Sequence, residues 1–219
     1  MTELYFIRHG QTAQNTAKRF QGHTDTDLNA TGREQAQRVA RRLAGSQIAA
    51  VYTSDLIRAR RTAEPIATHL GLSLTTRVDL REIDVGSATG MSKADLKQHH
   101  PELFAADWHS VNFPGGESYD ETGTRMDAAA RDIAAAHPDQ AVAIVSHGGA
   151  IRSAIASIVG FPITALAGLF VANTSITRIA VDGRGHGRLL GLNDSAHLED
   201  WACVTLRQST TRTPTNGPK

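Results

Sequence analysis

The chain has 219 residues, 40% hydrophobic and 21% charged, and 23 basic against 22 acidic side chains leave a formal net charge of +1. This suits one large α/β domain or two small ones with a real core, and the balanced charge argues against nucleic acid or a membrane surface as partner. The single cysteine, Cys203, excludes an internal disulfide, the start of the chain lacks the pattern of a secretory leader, and no apolar run is long enough for a membrane span, so a cytoplasmic protein is the expectation.

In chain order, Leu4-Tyr5-Phe6-Ile7 is continuously apolar, as a strand buried on both faces reads, and stops at Arg8-His9-Gly10. Residues 11–29 are polar and irregular. A helix is predicted from Thr31, where Thr31 and Glu34 fit a capping box, with Ala36, Val39, Ala40 and Leu43 at helical spacing and a stop near Gly45. Ile48–Thr53 is a second strand, and Ser54-Asp55 offers a cap for a helix from Leu56 to Leu70, with Pro65 a candidate kink. Ser73–Val78 is a third strand. Short helices are read at Ser92–His100 and Glu102–Trp108, and Phe113-Pro114-Gly115-Gly116 is a loop. Ser118 and Glu121 form another capping box, opening a helix to about His137. The apolar strand Ala141–Val145 ends in Ser146-His147-Gly148-Gly149, and a helix follows to about Val159. Ser175–Val181 and Arg188–Leu192 are two further strands, and the Ser/Thr/Pro-rich residues 208–219 are expected to be a disordered tail.

Strands alternating with helices predict an α/β three-layer sandwich with a mostly parallel central sheet. Ligands in such sheets bind beyond the carboxyl ends of the strands. Two strands end there in histidine followed by glycine, His9-Gly10 and His147-Gly148, so the fold is expected to bring these residues to one crevice. Phosphoryl transfer suits them. Neutral imidazole is a competent nucleophile near pH 7, arginine grips two phosphate oxygens through its planar fork, and Arg8 and Arg58 both fall near this edge. Arg61 is read as a surface charge. No His-Glu-x-x-His, Cys-x-x-Cys or Gly-x-x-x-x-Gly-Lys pattern occurs.

Arg8-His9-Gly10-Gln11-Thr12-Ala13-Gln14-Asn15 resembles the signature of the histidine phosphatase superfamily, the phosphoglycerate mutase-like proteins. The likeness continues in order through Phe20-Gln21-Gly22, Asp27-Leu28-Asn29, Ser54-Asp55-Leu56 with Arg58, Leu80-Arg81-Glu82, Pro114-Gly115-Gly116-Glu117-Ser118 and Val145-Ser146-His147-Gly148-Gly149. The resemblance implies a phosphomonoester phosphatase with His9 as the covalent nucleophile. Arg8, Arg58 and His147 would hold the phosphate, with Gly148 beside it. Asn15 would add a polar contact, and Gln21 and Gly22 would border the substrate. Glu82 would protonate the leaving oxygen and then activate water. It further implies no metal and no cofactor, a small phosphorylated metabolite as partner, such as a sugar phosphate or phosphoglycerate derivative, and a single domain over residues 1–207 with a lid at about 83–117. A homodimer stays open. The acid block departs from the family at Val85, where many phosphatase members carry an aromatic residue, and at Ala88-Thr89, where they carry Trp-Glu. The short stretch from Glu82 to His147 favours a phosphatase over a phosphoglycerate mutase, which remains the alternative. A phospho-ligand-binding module with weak catalysis is the alternative of another class.

Overall fold

The computed structural model describes residues 1–104 and 112–199. Six strands, β1 (Thr2–Arg8), β2 (Ile48–Ser54), β3 (Leu74–Arg77), β4 (Ala141–Ser146), β5 (Ile176–Val181) and β6 (Gly187–Asp194), form one sheet in the order β3-β2-β4-β1-β5-β6. The pairs β1–β4, β2–β4 and β2–β3 are parallel; β5 runs antiparallel to β1, and β6 antiparallel to β5. Among the described residues the α-helices are α1 (Ala13–Thr16), α2 (Ala30–Leu43), α3 (Ile57–Leu70), α4 (Lys93–His99), α5 (Tyr119–Ala136) and α6 (Gly148–Val159).

The unbroken apolar runs of β1 and β4 follow from burial on both faces. Successive side chains of a strand point to opposite faces. Leu4, Phe6, Val142 and Ile144 therefore pack on Met126 and Ile133 of α5 and Ile151 and Ile155 of α6. Ile7, Ala143 and Val145 pack the other way, on Val39 of α2 and Ile66 of α3. A third apolar cluster, including Ile83, Val85, Leu96, Phe113 and Tyr119, comes from loops and helix starts.

Several local expectations are corrected. The cap of α2 is Asn29, whose Oδ1 accepts the Gly32 N–H at 2.8 Å; Thr31 lies inside the helix. Gln11 decides this, because its carbonyl and side chain both bond Asn29 and fix it in extended conformation. Neither Ser54 nor Asp55 caps α3. Asp55 pairs instead with Arg81 at 2.5 Å, and the Ile57 N–H donates to Asp25 across the fold. Helix α3 runs through Pro65. The span 11–29, read as irregular, contains α1, capped by Thr12 and Asn15 reciprocally. Pro101–Phe104 is a 3-10 turn. The rest of the helix expected to Trp108, residue Cys203, and the tail from 208 lie outside the described residues.

Candidate active site

The pairing of β1 with β4 places Arg8 beside Ser146, so the next residue of each strand, His9 and His147, falls at the same edge. The His9 N–H donates to the Ser146 carbonyl at 2.9 Å, and the two imidazole rings sit 5.2 Å apart, inclined at 57°. Both rings are buried.

The protonation pattern can be read from the neighbours. His9 Nδ1 lies 2.7 Å from the Gly10 carbonyl, which can only accept, so Nδ1 carries the proton and Nε2 keeps its lone pair. Burial, then the charges of Arg58 and Arg8, hold His9 well below the ordinary imidazole range, against a smaller opposing effect of the Gly10 carbonyl. His147 is the converse. Its Nδ1 accepts from Arg58 Nε at 3.1 Å, so Nε2 carries the proton, and that buried N–H has no partner among the described residues. His147 too is held well below its usual value, chiefly by burial and then by Arg58.

Arg58 is fully buried, with all three guanidinium nitrogens engaged: Nε on His147, Nη1 on the Thr24 carbonyl and Nη2 on the Gly22 carbonyl. Burial lowers it to about 10. Arg8 donates through Nη1 to the Val171 carbonyl at 2.7 Å, and its buried Nε is unpartnered. Gly148 packs beside it, where a Cβ would stand 3.2 Å from that Nε and crowd it.

Glu82 follows a 3-10 turn at Val78–Leu80, which Ser146 Oγ anchors to β4 through the Leu80 carbonyl. Its oxygens accept N–H groups from Ala150 (2.8 Å), Gly149 (3.2 Å) and Ile83 (3.0 Å), so the carboxylate sits on the N-terminus of α6, where helix amides favour negative charge.

A cavity of about 300 Å³ opens here, with Arg8, His9, Asn15, Gln21, Gly22 and Glu82 among its lining residues. Gly148 also lines it, whereas Arg58 and His147 are not among its lining residues. Asn15 Oδ1 is held by the Thr12 N–H and by Asn173, and Gln21 Oε1 accepts the Thr12 hydroxyl. A larger groove, about 910 Å³, runs along α2 and α3 past Gln37, Arg61 and Thr68 and contains none of these residues. Among the described residues, no three His, Cys, Asp or Glu side chains gather as metal ligands.

Four contributors escaped the sequence reading. Thr62 accepts the Gly10 N–H and donates to the Arg58 carbonyl, linking the His9-Gly10 loop to α3. Asn173 donates to the His9 carbonyl at 2.8 Å. Arg125 of α5 bonds the carbonyls of Asp79, Arg81 and Glu82 and pairs with Glu117 at 2.8 Å, fastening the loop that carries Glu82. His23 reaches the Glu82 carbonyl at 2.8 Å. Each acts on backbone, and such bonds leave no signature in residue spacing.

An open, mostly parallel sheet with two histidines, arginines and one carboxylate at its carboxyl edge has the build of an α/β phosphoryl-transfer enzyme. The profile of the histidine phosphatase superfamily (branch 1) matches residues 4–195, and the chain belongs to that family. It is 41% identical to phosphoglycerate mutase-like protein 4 of Arabidopsis thaliana over 69% of this chain and 68% of that protein. Identity to the metal-independent phosphoserine phosphatase of Arabidopsis thaliana is 39%, over 70% and 67%. The mycobacterial glucosyl-3-phosphoglycerate phosphatase, solved with VO3, superposes with a TM-score of 0.81 at 30% identity, covering 88% of this chain and 99% of its own. Among the described residues, no helix is long and apolar enough to cross a membrane.

Proposed function

We propose that this phosphohydrolase cleaves a small phosphomonoester, a sugar phosphate or phosphoglycerate derivative, through a phosphohistidine on His9. The observation that carries this reading is the Nδ1–H bond to the Gly10 carbonyl, which leaves the Nε2 lone pair on a buried, uncharged ring at the cavity wall. In the first step Nε2 attacks phosphorus, the bond to the leaving oxygen breaks, and that oxygen takes a proton from Glu82. In the second, water attacks the phosphohistidine, gives its proton to Glu82, and the P–N bond breaks with its electron pair returning to Nε2. Arg8 Nε and His147 Nε2 are unpartnered buried N–H groups suited to phosphate oxygens. Arg58 contributes charge from behind and orients His147. We further propose one catalytic domain in which the 83–117 segment, of which residues 105–111 lie outside the described residues, is the lid: its described part supplies Ile83, Val85 and Phe113 to the cavity. A phosphoglycerate mutase would use the same first step and return the phosphoryl group to a second hydroxyl. Hydrolysis of p-nitrophenyl phosphate by wild type and His9→Ala tests the reading. Loss of at least about 10³-fold in kcat/KM is expected; equal rates would remove His9 as nucleophile, and product analysis on 3-phosphoglycerate separates phosphate release from isomerisation.

A further inference from the structure

The carboxylate of Glu82 is held partly by its own peptide link. The Ile83 N–H donates to Glu82 Oε1 at 3.0 Å, and the carbonyl of that same peptide group faces His23 Nε2 at 2.8 Å. A carbonyl only accepts, so Nε2 carries the proton and the imidazole is the donor. A peptide group is planar, so a bond that fixes its oxygen also fixes the direction of its N–H. The two bonds polarise one another through the amide, as linked hydrogen bonds do. His23 thus acts on the carboxylate through one rigid unit. Arg125 Nη2 approaches the same carbonyl at 3.5 Å, too long to stand in for it.

His23 is itself fixed from both sides. The carbonyls of its neighbours, Gly22 and Thr24, accept Nη2 and Nη1 of Arg58 at 2.8 and 2.6 Å, and Asp25, next but one in the chain, accepts the Ile57 N–H of α3. Gly22 packs on the loop of Glu82, where a Cβ would stand 2.8 Å from Val85. His23 Nδ1 lies 4.0 Å from Asp84 Oδ2, and Asp84 Oδ1 accepts the Gly86 N–H at 2.9 Å. The imidazole is not among the residues that line the cavity, which suits a positioning residue and not a reacting one.

We infer that His23 positions the catalytic acid: it holds the 82–83 peptide so that Glu82 presents Oε2 to the leaving oxygen, and it ties that acid to Arg58. The inference rests on the phosphatase reading, with Glu82 as acid. Oε1 accepts two N–H groups, from Ile83 and from Ala150 at 2.8 Å, whereas Oε2 accepts one, from Gly149 at 3.2 Å. Oε2 is therefore the oxygen left to carry the proton. As the bond from phosphorus to the leaving oxygen breaks, the Oε2–H bond breaks with it; the proton passes to the leaving oxygen and the electron pair stays on the carboxylate. Without the His23 donor the peptide can turn, the Ile83 N–H leaves Oε1, and the carboxylate loses its aim.

The need for an acid depends on the leaving group, and this separates positioning from plain support of the loop. The test compares kcat/KM, which reports the transfer to His9, for glycerol 3-phosphate, whose alkoxide needs a proton, and p-nitrophenyl phosphate, whose phenolate leaves without one. His23→Ala is expected to lower the first by about 10- to 100-fold and the second by less than about threefold. His23→Gln, whose amide N–H reaches the place of Nε2, is expected to restore most of the loss; His23→Asn, whose amide reaches only the place of Nδ1, is not. Glu82→Gln serves as the reference for loss of the acid. A selective loss with Glu82→Gln but none with a folded His23→Ala, or a His23→Ala that slows both substrates alike, overturns the inference and leaves the acid assignment standing. If His23→Ala does not fold, the other two variants decide, and equal values for them overturn it. No selective loss with Glu82→Gln removes Glu82 as acid and the inference with it, as does a wild type that cleaves only the aryl ester. Hydrolysis of neither substrate by wild type overturns the phosphatase reading as well.

Discussion

The buried imidazoles determine how the molecule responds to acid. His9, His147 and, more weakly, His197 all have folded values lowered from 6.5, each first by burial. A histidine that binds its proton less readily folded than unfolded stabilises the fold above its unfolded pKa and loses that contribution as pH falls through and below it. Stability should therefore begin to drop below about pH 6.5, before Asp55 and Glu117, whose values are also depressed, lose their partners at lower pH. Thermal melts from pH 8 to 5 check this, and His147→Gln should flatten the first step; a melting temperature constant from pH 7 to 5 would contradict it. The acid limb of kcat/KM should likewise lie below the ordinary imidazole range, because His9 stays neutral there.

Helix ends and loops set the remaining geometry. The N-terminus of α6 receives the Glu82 carboxylate, and a Cβ on Gly149 would stand 2.6 Å from Glu82 Oε1 and 3.1 Å from Ile83. Gly149→Ala should lower kcat by about 10- to 100-fold, the scale of a misplacement near 1 Å, with a smaller effect on KM, as steady-state kinetics would show. Arg125→Met removes the bonds that fasten residues 79–82 and leaves Glu117 unpaired. It should cost about 1–3 kcal/mol, a few degrees in Tm by calorimetry, and reduce kcat together with it. At this scale the sequence was unevenly legible. Buried strands β1 and β4 announced themselves because burial on both faces demands unbroken apolar runs, and α5 because Ser118 and Glu121 satisfy each other locally. The starts of α2 and α3 were misjudged because Gln11 and Asp25, distant in sequence, decide them. His9, His147 and Glu82 were visible through their blocks. Arg125, Asn173 and His23 were not, since they act through contacts that only the folded chain creates.

Taken as a whole, the chain is nearly neutral at +1, yet among the described residues that line its cavity arginines gather around a single carboxylate. Its attraction for an anionic substrate is therefore local and screened by salt. KM for a phosphomonoester dianion should rise several-fold from low to about 0.5 M ionic strength while kcat changes little; an unchanged KM would place recognition elsewhere than in the arginines. The folding logic points the same way. The two central strands meet in register so that each delivers a histidine to one edge, and two further segments, α3 and the 79–84 loop, converge on them. The most direct measurement is rapid-quench intact-mass analysis during turnover, followed by peptide mapping under alkaline conditions that preserve phosphohistidine. One acid-labile phosphoryl group per chain, carried on His9 and lost in His9→Ala, is the expected result. Steady turnover with no phosphorylated protein, or with the group on another residue, would contradict the account.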